Sequence, residues 1–253
     1  MSIPIPFTGR LEGPSIERVR REPKLRSLIV RQTKRITPHM LRLTLGGDEL
    51  ADFESRGFDD HVKLLMPSGE RRDYTPRRFD PIARTLTLDF AVHEGGPATA
   101  WAMTAAPGDA IQVAGPKGST IISPDVRQWT LIGDETALPA IGRRIEEADA
   151  DTGITSIVAV TGAAEEQTFD TLAKLGARWV HRASASAADP CALIEAVRAI
   201  ELDPESYVWI AAEARVARAV RDVIVDERGH RRSWTKAGGY WVMGRADAHE
   251  RIG

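Results

Sequence analysis

Residues 71–78 read Arg-Arg-Asp-Tyr-Thr-Pro-Arg-Arg, and the organisation of the first half of the chain follows from them. Four arginines, a tyrosine and a hydroxyl share eight positions, and Thr75-Pro76 interrupts what is otherwise an extended run. Alternate side chains of a strand share a face, so Arg72 and Tyr74 point one way and Thr75 the other. A bend at Thr75-Pro76 brings the Thr75 hydroxyl and amide round towards a ring stacked on Tyr74. Arg72 is then placed for bidentate pairing with a pyrophosphate. A flat anionic ligand needs both surfaces, a π-face and fixed donors. An edge strand with solvated arginines and a half-buried tyrosine is the competing reading of the same residues.

Working outward, short runs of period two surround this stretch: 27–33 (SLIVRQT), 40–45 (MLRLTL), 61–66 (HVKLLM), 85–92 (TLTLDFAV) and 110–114 (AIQVA). Gly46-Gly47, Pro67-Ser68-Gly69, Asp80-Pro81 and Pro107-Gly108-Asp109 punctuate them. These strands, with few helices among them, predict a small antiparallel six-stranded barrel over residues 25–127. Residues 1–24 carry six prolines and glycines with little periodicity and read as an irregular arm, with Arg18, Arg20 and Arg21 as solvated surface. Beyond residue 127 the rhythm changes to strand–helix alternation. Runs at 129–133 (WTLIG), 155–161 (TSIVAVT), 178–181 (RWVH) and 207–211 (YVWIA) read as buried strands. Helical faces of Leu138, Ile141 and Ile145, of Leu193, Val197 and Ile200, and of Val216, Val220 and Ile224 lie between them. Asp189-Pro190 reads as the cap and first position of the middle helix. Residues 128–253 are therefore expected to form a doubly wound parallel α/β domain.

Between the two halves of the barrel pattern lies a second anion-friendly segment. Residues 93–97 (His-Glu-Gly-Gly-Pro) leave a strand, and 98–103 (ATAWAM) favour a helix, so free amides and a positive dipole end face outward at Gly96, Pro97, Ala98 and Thr99. Thr99 adds a hydroxyl and His93 stands just before the turn, while Trp101 reads as core. In the second half, residues 133–140 (GDETALPA) join strand to helix where such sheets bind ligands. Asp134 and Glu135 repel a phosphate set directly on that helix, so a nicotinamide cofactor is expected to lie to one side. No G-x-G-x-x-G or P-loop occurs.

Composition excludes several classes. The 253 residues are 42% hydrophobic and 28% charged, which suits a chain with a real core. No apolar run approaches the roughly 18 residues that a membrane span needs, and MSIPIPFTGR lacks the features of a secretory signal. Cys191 is the one cysteine, which rules out internal disulfides and fits a cytosolic protein. Neither a cysteine cluster nor a helical histidine pair supports a bound metal. Residues 1–127 carry 19 Lys and Arg against 16 Asp and Glu, and the remainder 15 against 20. A mildly basic first half suits an anionic ligand, and the absence of a basic stripe with interleaved aromatics argues against nucleic acid.

The ordered motifs resemble the siderophore-interacting, flavin-binding family within the ferredoxin-reductase-like superfamily, over roughly residues 25–250. The resemblance rests on His61-Val62-Lys63-Leu64-Leu65, Arg72-x-Tyr74-Thr75-x-Arg77, Gly96-Pro97-Ala98-Thr99-x-Trp101-Ala102, Pro107-Gly108-Asp109 and Gly115-Pro116-x-Gly118-Ser119. It continues with Gly133-Asp134-Glu135-Thr136-Ala137-Leu138-Pro139-Ala140 and Gly238-Gly239-Tyr240-Trp241-x-x-Gly244. It implies an FAD-binding barrel followed by an NAD(P)H-binding domain, with electrons passing from NADPH or NADH through FAD to a ferric siderophore and iron leaving as Fe(II). By resemblance Arg72, Tyr74 and Thr75 contact FAD, and His93, Gly96, Pro97, Ala98 and Thr99 match its diphosphate segment. Thr136 falls in the nucleotide loop, Tyr240 and Trp241 pack back towards the flavin or adenine, and Lys63 and Arg77 receive the anionic chelate. Ala211-Ala212-Glu213 stands where the family often has Ala-Gly-Glu, and Thr99 stands where serine is common. A flavin reductase for another acceptor or partner protein, or a non-catalytic flavin- or siderophore-binding protein, are the alternatives.

Overall fold

The computed structural model describes residues 13–93, 96–245 and 248–252. In chain order the first half forms β1 (Ile16–Arg20), β2 (Leu25–Thr37), β3 (Met40–Gly46), β4 (Val62–Leu65), β5 (Arg71–Tyr74), β6 (Pro76–Asp80), β7 (Thr85–Ala91), α1 (Pro97–Thr104), β8 (Ala110–Ala114) and β9 (Gly118–Ile122). Strands β2 to β8 make one antiparallel sheet in the order β5-β4-β8-β2-β3-β7-β6. Its two edges, β5 and β6, are consecutive in sequence and separated by Thr75 alone. One strand therefore bends at Thr75 from one edge of the sheet to the other, and the six-stranded barrel is closed through the covalent chain at that point. Proline at 76 suits this place, because an edge position needs no ladder donor from it.

The barrel core is built from alternate residues, among them Leu28, Val30, Leu43, Leu45, Leu64 and Leu88, all nearly fully buried. Strand β2 runs on to Thr37, past the expected end at residue 33, because it is shared: its first half pairs with β8, and it pairs with β3 along most of its length. Residues 16–20, which composition presents as irregular arm, are a strand. β1 pairs with β9 in a two-stranded ribbon, and every β1 residue except Val19 is exposed, so no apolar alternation marks it in the sequence.

The second half comprises β10 (Gln128–Asp134), α2 (Leu138–Glu146), β11 (Gly153–Val160), β12 (Lys174–His181), α3 (Cys191–Arg198), β13 (Ser206–Glu213), α4 (Ala214–Asp222), β14 (Thr235–Trp241) and β15 (Glu250–Ile252). The sheet order is β12-β11-β10-β13-β14-β15, parallel except for β15. Strand order reverses between β10 and β13, which makes the crevice over their carboxyl ends the natural ligand site of such a sheet. One face packs Leu138, Ile141 and Ile145 of α2, and the other packs Leu193 and Val197 of α3 with Val216 and Val220 of α4. The α3 start is shifted by one residue from the expected cap: Pro190 is the flanking residue, and the Asp189 carboxylate accepts the Cys191 amide (3.0 Å).

Candidate functional site

On the barrel, strand register decides which side chains share a face. β4 and β5 pair so that Val62 lies opposite Tyr74, Leu64 opposite Arg72 and Lys63 opposite Asp73. Arg72 and Tyr74 thus share the face of the buried Val62 and Leu64, as alternation predicts. The Tyr74 ring packs on Phe90 with centroids 4.2 Å apart and 38° between planes, and Phe90 in turn meets Trp101 at 6.0 Å. Burial pushes the Tyr74 phenol up, with the nearby Arg72 charge pulling it partly back. Among the described residues the Arg72 guanidinium makes one bond, from Nη1 to the Arg71 carbonyl (2.7 Å), and Arg72 is half-exposed. Thr75 is buried at the bend.

Helix α1 begins with Gly96 as its flanking residue and Pro97 first, and among the described residues no side chain caps the amides that follow. Ala98 and Thr99 are buried there. His93 is folded against this turn: a Cβ added to Gly96 would meet the imidazole Cε1 at 2.8 Å. Glycine is therefore what lets the histidine and the helix start come together. Glu94 and Gly95 lie outside the described residues.

The two basic residues assigned to an anionic chelate separate. Lys63 sits on the face opposite Arg72 and Tyr74, 27% exposed, with its ammonium 2.9 Å from Asp73. Arg77 is only 4% exposed. It reaches across to α2, donating to Glu146 at 2.8 and 2.5 Å, with its Nε 3.7 Å from Asp89. Its guanidinium lies over Gly142, where a Cβ would approach Nη2 to 3.0 Å. The reason is chemical: β6 packs on α2, and a charge buried there must be paired. Burial raises Glu146, but the Arg77 and Arg78 hydrogen bonds and charges more than offset it and hold the carboxyl below its usual range. A reciprocal arm runs the other way. Arg143 of α2 donates to the Ser55 hydroxyl (2.8 Å), the Ser55 carbonyl (2.7 Å) and the Pro76 carbonyl (3.1 Å). Two further links join barrel and sheet: Glu165 accepts from Thr37 and the His39 amide, and Asp59 accepts from the Trp209 indole and Lys236.

At the carboxyl edge of the parallel sheet, Asp134 is buried and accepts four donors. These are the Thr136 amide (2.9 Å) and hydroxyl (2.5 Å) on one oxygen, and the Glu213 amide and Trp241 indole (both 2.9 Å) on the other. The Thr136 hydroxyl proton goes to Asp134. Tyr240 points to the opposite face, edge-on to Trp209 at 5.9 Å, and burial with Asp59 and Asp134 nearby raises its phenol. Trp241 and the Met243 amide on Glu213 draw the chain after β14 across the β10–β13 crevice. Trp241→Phe keeps the ring and removes one charge-assisted bond to a buried carboxylate, and is expected to lower unfolding free energy by about 1.5–3 kcal/mol in urea titration. An unchanged midpoint contradicts this role for the indole. Beside Asp134, Glu135 pairs with Arg182 (2.7 Å). Burial and the Asp134 charge push Glu135 up to about 7, against the pull of Arg182. Between its ordinary 4.5 and about 7 the folded chain holds a proton the unfolded chain has lost. That contribution to stability is present below pH 4.5 and fades as pH rises through 7. Ala212 is buried within β13.

Arg143, Glu146, Arg182 and the four-donor role of Asp134 escape a reading of the sequence. Charged residues on a helix or after a strand carry no mark of which distant partner they meet.

Comparison with known proteins follows this geometry. The siderophore-interacting FAD-binding domain matches residues 29–72 and 69–120, and the siderophore-interacting protein family matches 126–244. The NADPH-dependent ferric-chelate reductase of Escherichia coli (strain K12) is 32% identical over 228 residues, covering 80% of this chain and 87% of that protein. The chain belongs to the siderophore-interacting protein family. A siderophore utilization protein from T. fusca, of known structure, superposes with TM-score 0.86 at 37% identity, covering 92% of this chain and 98% of that one. The ferredoxin reductase in carbazole 1,9a-dioxygenase, at 16% identity, TM-score 0.67 and coverage of 84% and 68%, shares the fold. The barrel residues of this family member fit an FAD. One face of Tyr74 is taken by Phe90, Arg72 keeps donors to spare, and the α1 amides lack a side-chain cap among the described residues.

Proposed function

We propose that this chain is an NADPH-dependent ferric siderophore reductase that holds FAD on its barrel and the nicotinamide dinucleotide over the β10–β13 crevice. The observation that carries the reading is Arg143. From α2 of the nucleotide half it donates to the carbonyl of Pro76, next to Thr75 at the barrel bend. The flavin-contacting strand end is thereby clamped to the sheet on which the donor lies, as electron transfer between two bound partners requires. FAD, when bound, supplies the conversion from a two-electron donor to the one-electron reduction of Fe(III). The chain's own residues bind and orient. Tyr74 offers a ring face, Arg72 a guanidinium fork for the diphosphate, Thr75 a hydroxyl at the bend, and the start of α1 with His93 a second phosphate cradle. Asp134, Glu213 and Trp241 shape the crevice. The domain division at residues 127–128 and a cytoplasmic site belong to the same proposal.

The test is an anaerobic titration of the purified holoprotein. Bleaching of the flavin band by NADPH, followed by its return on adding a ferric siderophore with capture of Fe(II) by a ferrous chelator, is expected. Bleaching without reoxidation by the ferric siderophore points instead to a reductase for another acceptor, and no bleaching ends the enzyme reading.

Lys63 is the assigned substrate contact that keeps an accessible charge. Lys63→Gln is expected to raise KM for an anionic ferric siderophore by about two- to fivefold, the size of a partly screened surface charge, with flavin content unchanged. Asp73→Asn, which frees the ammonium, is expected to move KM the other way. Equal KM in all three proteins removes Lys63 from the substrate path.

A further inference from the structure

Residues 55–60 (Ser-Arg-Gly-Phe-Asp-Asp) lead into β4, and their two adjacent aspartates bond in opposite directions. Asp60 is buried and turns back to its own loop and to β9. Its carboxylate accepts the Ser55 hydroxyl (2.9 Å), the Ser119 hydroxyl (2.7 Å) and the Gly57 amide (3.1 Å). Asp59 reaches the parallel sheet instead, with a side chain only 7% exposed. Its Oδ2 accepts the Trp209 indole (2.9 Å) and the Lys236 ammonium (2.5 Å). Trp209 of β13 and Lys236 of β14 are register partners, so a single oxygen pins two neighbouring strands at one point. Phe58 seats the same contact, edge-on to Trp209 at 5.4 Å and to Trp129 at 5.7 Å.

The two ends of this contact lead to the two halves of the site. Shortly after Asp59, Val62 lies opposite Tyr74 and Lys63 opposite Asp73. On the sheet side Trp209 meets Tyr240 edge-on at 5.9 Å, and the neighbouring Trp241 indole donates to Asp134 at the crevice. A desolvated charge pair of this kind adds little to stability over apolar residues of the same volume. What it does supply is a direction, because a carboxylate shared by an indole and an ammonium has few places to sit.

We propose that Asp59 is a positioning residue for the transfer from the nicotinamide donor to the flavin. Acting through Trp209 and Lys236, it sets where the dinucleotide-bearing sheet lies relative to the β4–β5 pair. The inference rests on the reductase reading above and deepens it, because it names a residue that serves one half of the reaction. In balance, NADPH and two Fe(III) give NADP⁺, one proton released to solvent and two Fe(II). In the first half a hydride leaves the donor on the sheet for the flavin on the barrel. Reacting atoms must then stand about 3–3.5 Å apart, and a misplacement of about 1 Å costs on the order of 100-fold. In the second half, single electrons pass to a chelate gathered at Lys63, on the barrel alone. β4 keeps its ladders to β5 and β8 whatever becomes of Asp59, so that half does not depend on the contact.

Anaerobic stopped-flow of the FAD-loaded protein separates the two halves. Asp59→Asn keeps the shape and gives up the charge that holds Lys236. The limiting rate of flavin bleaching at saturating NADPH is expected to fall by about tenfold or more in this variant. Reoxidation of the dithionite-reduced variant by a ferric siderophore should stay within about twofold of wild type. Two readouts need no turnover: calorimetry with NADP⁺, and titration of the apoprotein with FAD, are each expected within about threefold of wild type. Lys236→Met, at a part-exposed position, should slow bleaching alone, by a smaller factor. The idea fails if Asp59→Asn is bleached at the wild-type rate, or if both halves slow equally, as a general loss of fold would make them. Should Asp59→Asn not load with FAD, Lys236→Met decides the question, and an unchanged bleaching rate there overturns the role. If NADPH does not bleach wild type, the donor reading itself falls and this inference with it; a bleached wild type with unslowed variants sinks this inference alone.

Discussion

Glu146→Ala is expected to lower the unfolding free energy by about 3 kcal/mol, near the lower end of the range for breaking a buried ion pair by removing one partner. Arg77 is left 96% out of solvent with its two closest acceptor contacts gone. Asp89, 3.7 Å away, is already held by Arg42 through two bonds of 2.7 Å and compensates only in part. The Arg77→Met, Glu146→Leu double variant removes both charges and is expected to recover most of the loss, to within about 1 kcal/mol of wild type. Denaturant titrations of the three proteins measure this. A Glu146→Ala loss below about 1 kcal/mol, or a double variant no better than the single, would show that the pair does not hold barrel and sheet together. Because Arg77 follows Thr75 by two residues, the single variant is also expected to loosen the bend proposed to contact the flavin.

Loss of bound FAD is the second large effect. Arg72→Ala removes a guanidinium fork, and charge-assisted hydrogen bonds worth about 1.5–3 kcal/mol translate into an FAD dissociation constant roughly 10- to 100-fold weaker. Arg72→Lys retains the charge without the fork and should fall between. Tyr74→Ala is expected to lose affinity as well, since it removes the ring that Phe90 braces from behind at 4.2 Å. Tyr74→Phe should keep most of it. Titration of apoprotein with FAD, followed by flavin fluorescence, reads all four. Full stoichiometric flavin at wild-type affinity in Arg72→Ala would remove Arg72 from the cofactor site. Circular dichroism of the apoproteins checks that the barrel is intact, as expected for a half-exposed residue on an edge strand.

Much of the architecture was legible because it depends on local periodicity. Alternation of apolar residues marks β3, β4, β7 and β8, and strand–helix rhythm marks the parallel sheet, since each pattern is the trace of one face being buried. Thr75-Pro76 announced a break in the strand. The same alternation placed Arg72 with Tyr74 on one face, and register with Val62 and Leu64 agrees. Glycine and proline at 96–97 announced the start of α1. The ribbon of β1 and β9 was not legible, because β1 is almost wholly exposed and contributes no apolar stripe.

The sequence by itself determined the two kinds of sheet, the strand break at Thr75 and the pairing of an aromatic face with a guanidinium at positions 72 and 74. Each is a property of neighbours along the chain, and backbone geometry carries it. Only the tertiary structure decided what each charge is for. Arg77 and Arg72 look alike in the run RRDYTPRR, yet one is buried against Glu146 and the other stays half-exposed, because α2, some sixty residues later in the chain, packs over the first and not the second. The Glu135–Arg182 pair and the Glu213 and Trp241 donors on Asp134 likewise join residues distant in sequence. A charge takes its role from its partner and its burial, and both are set by which surfaces meet when the barrel and the sheet come together.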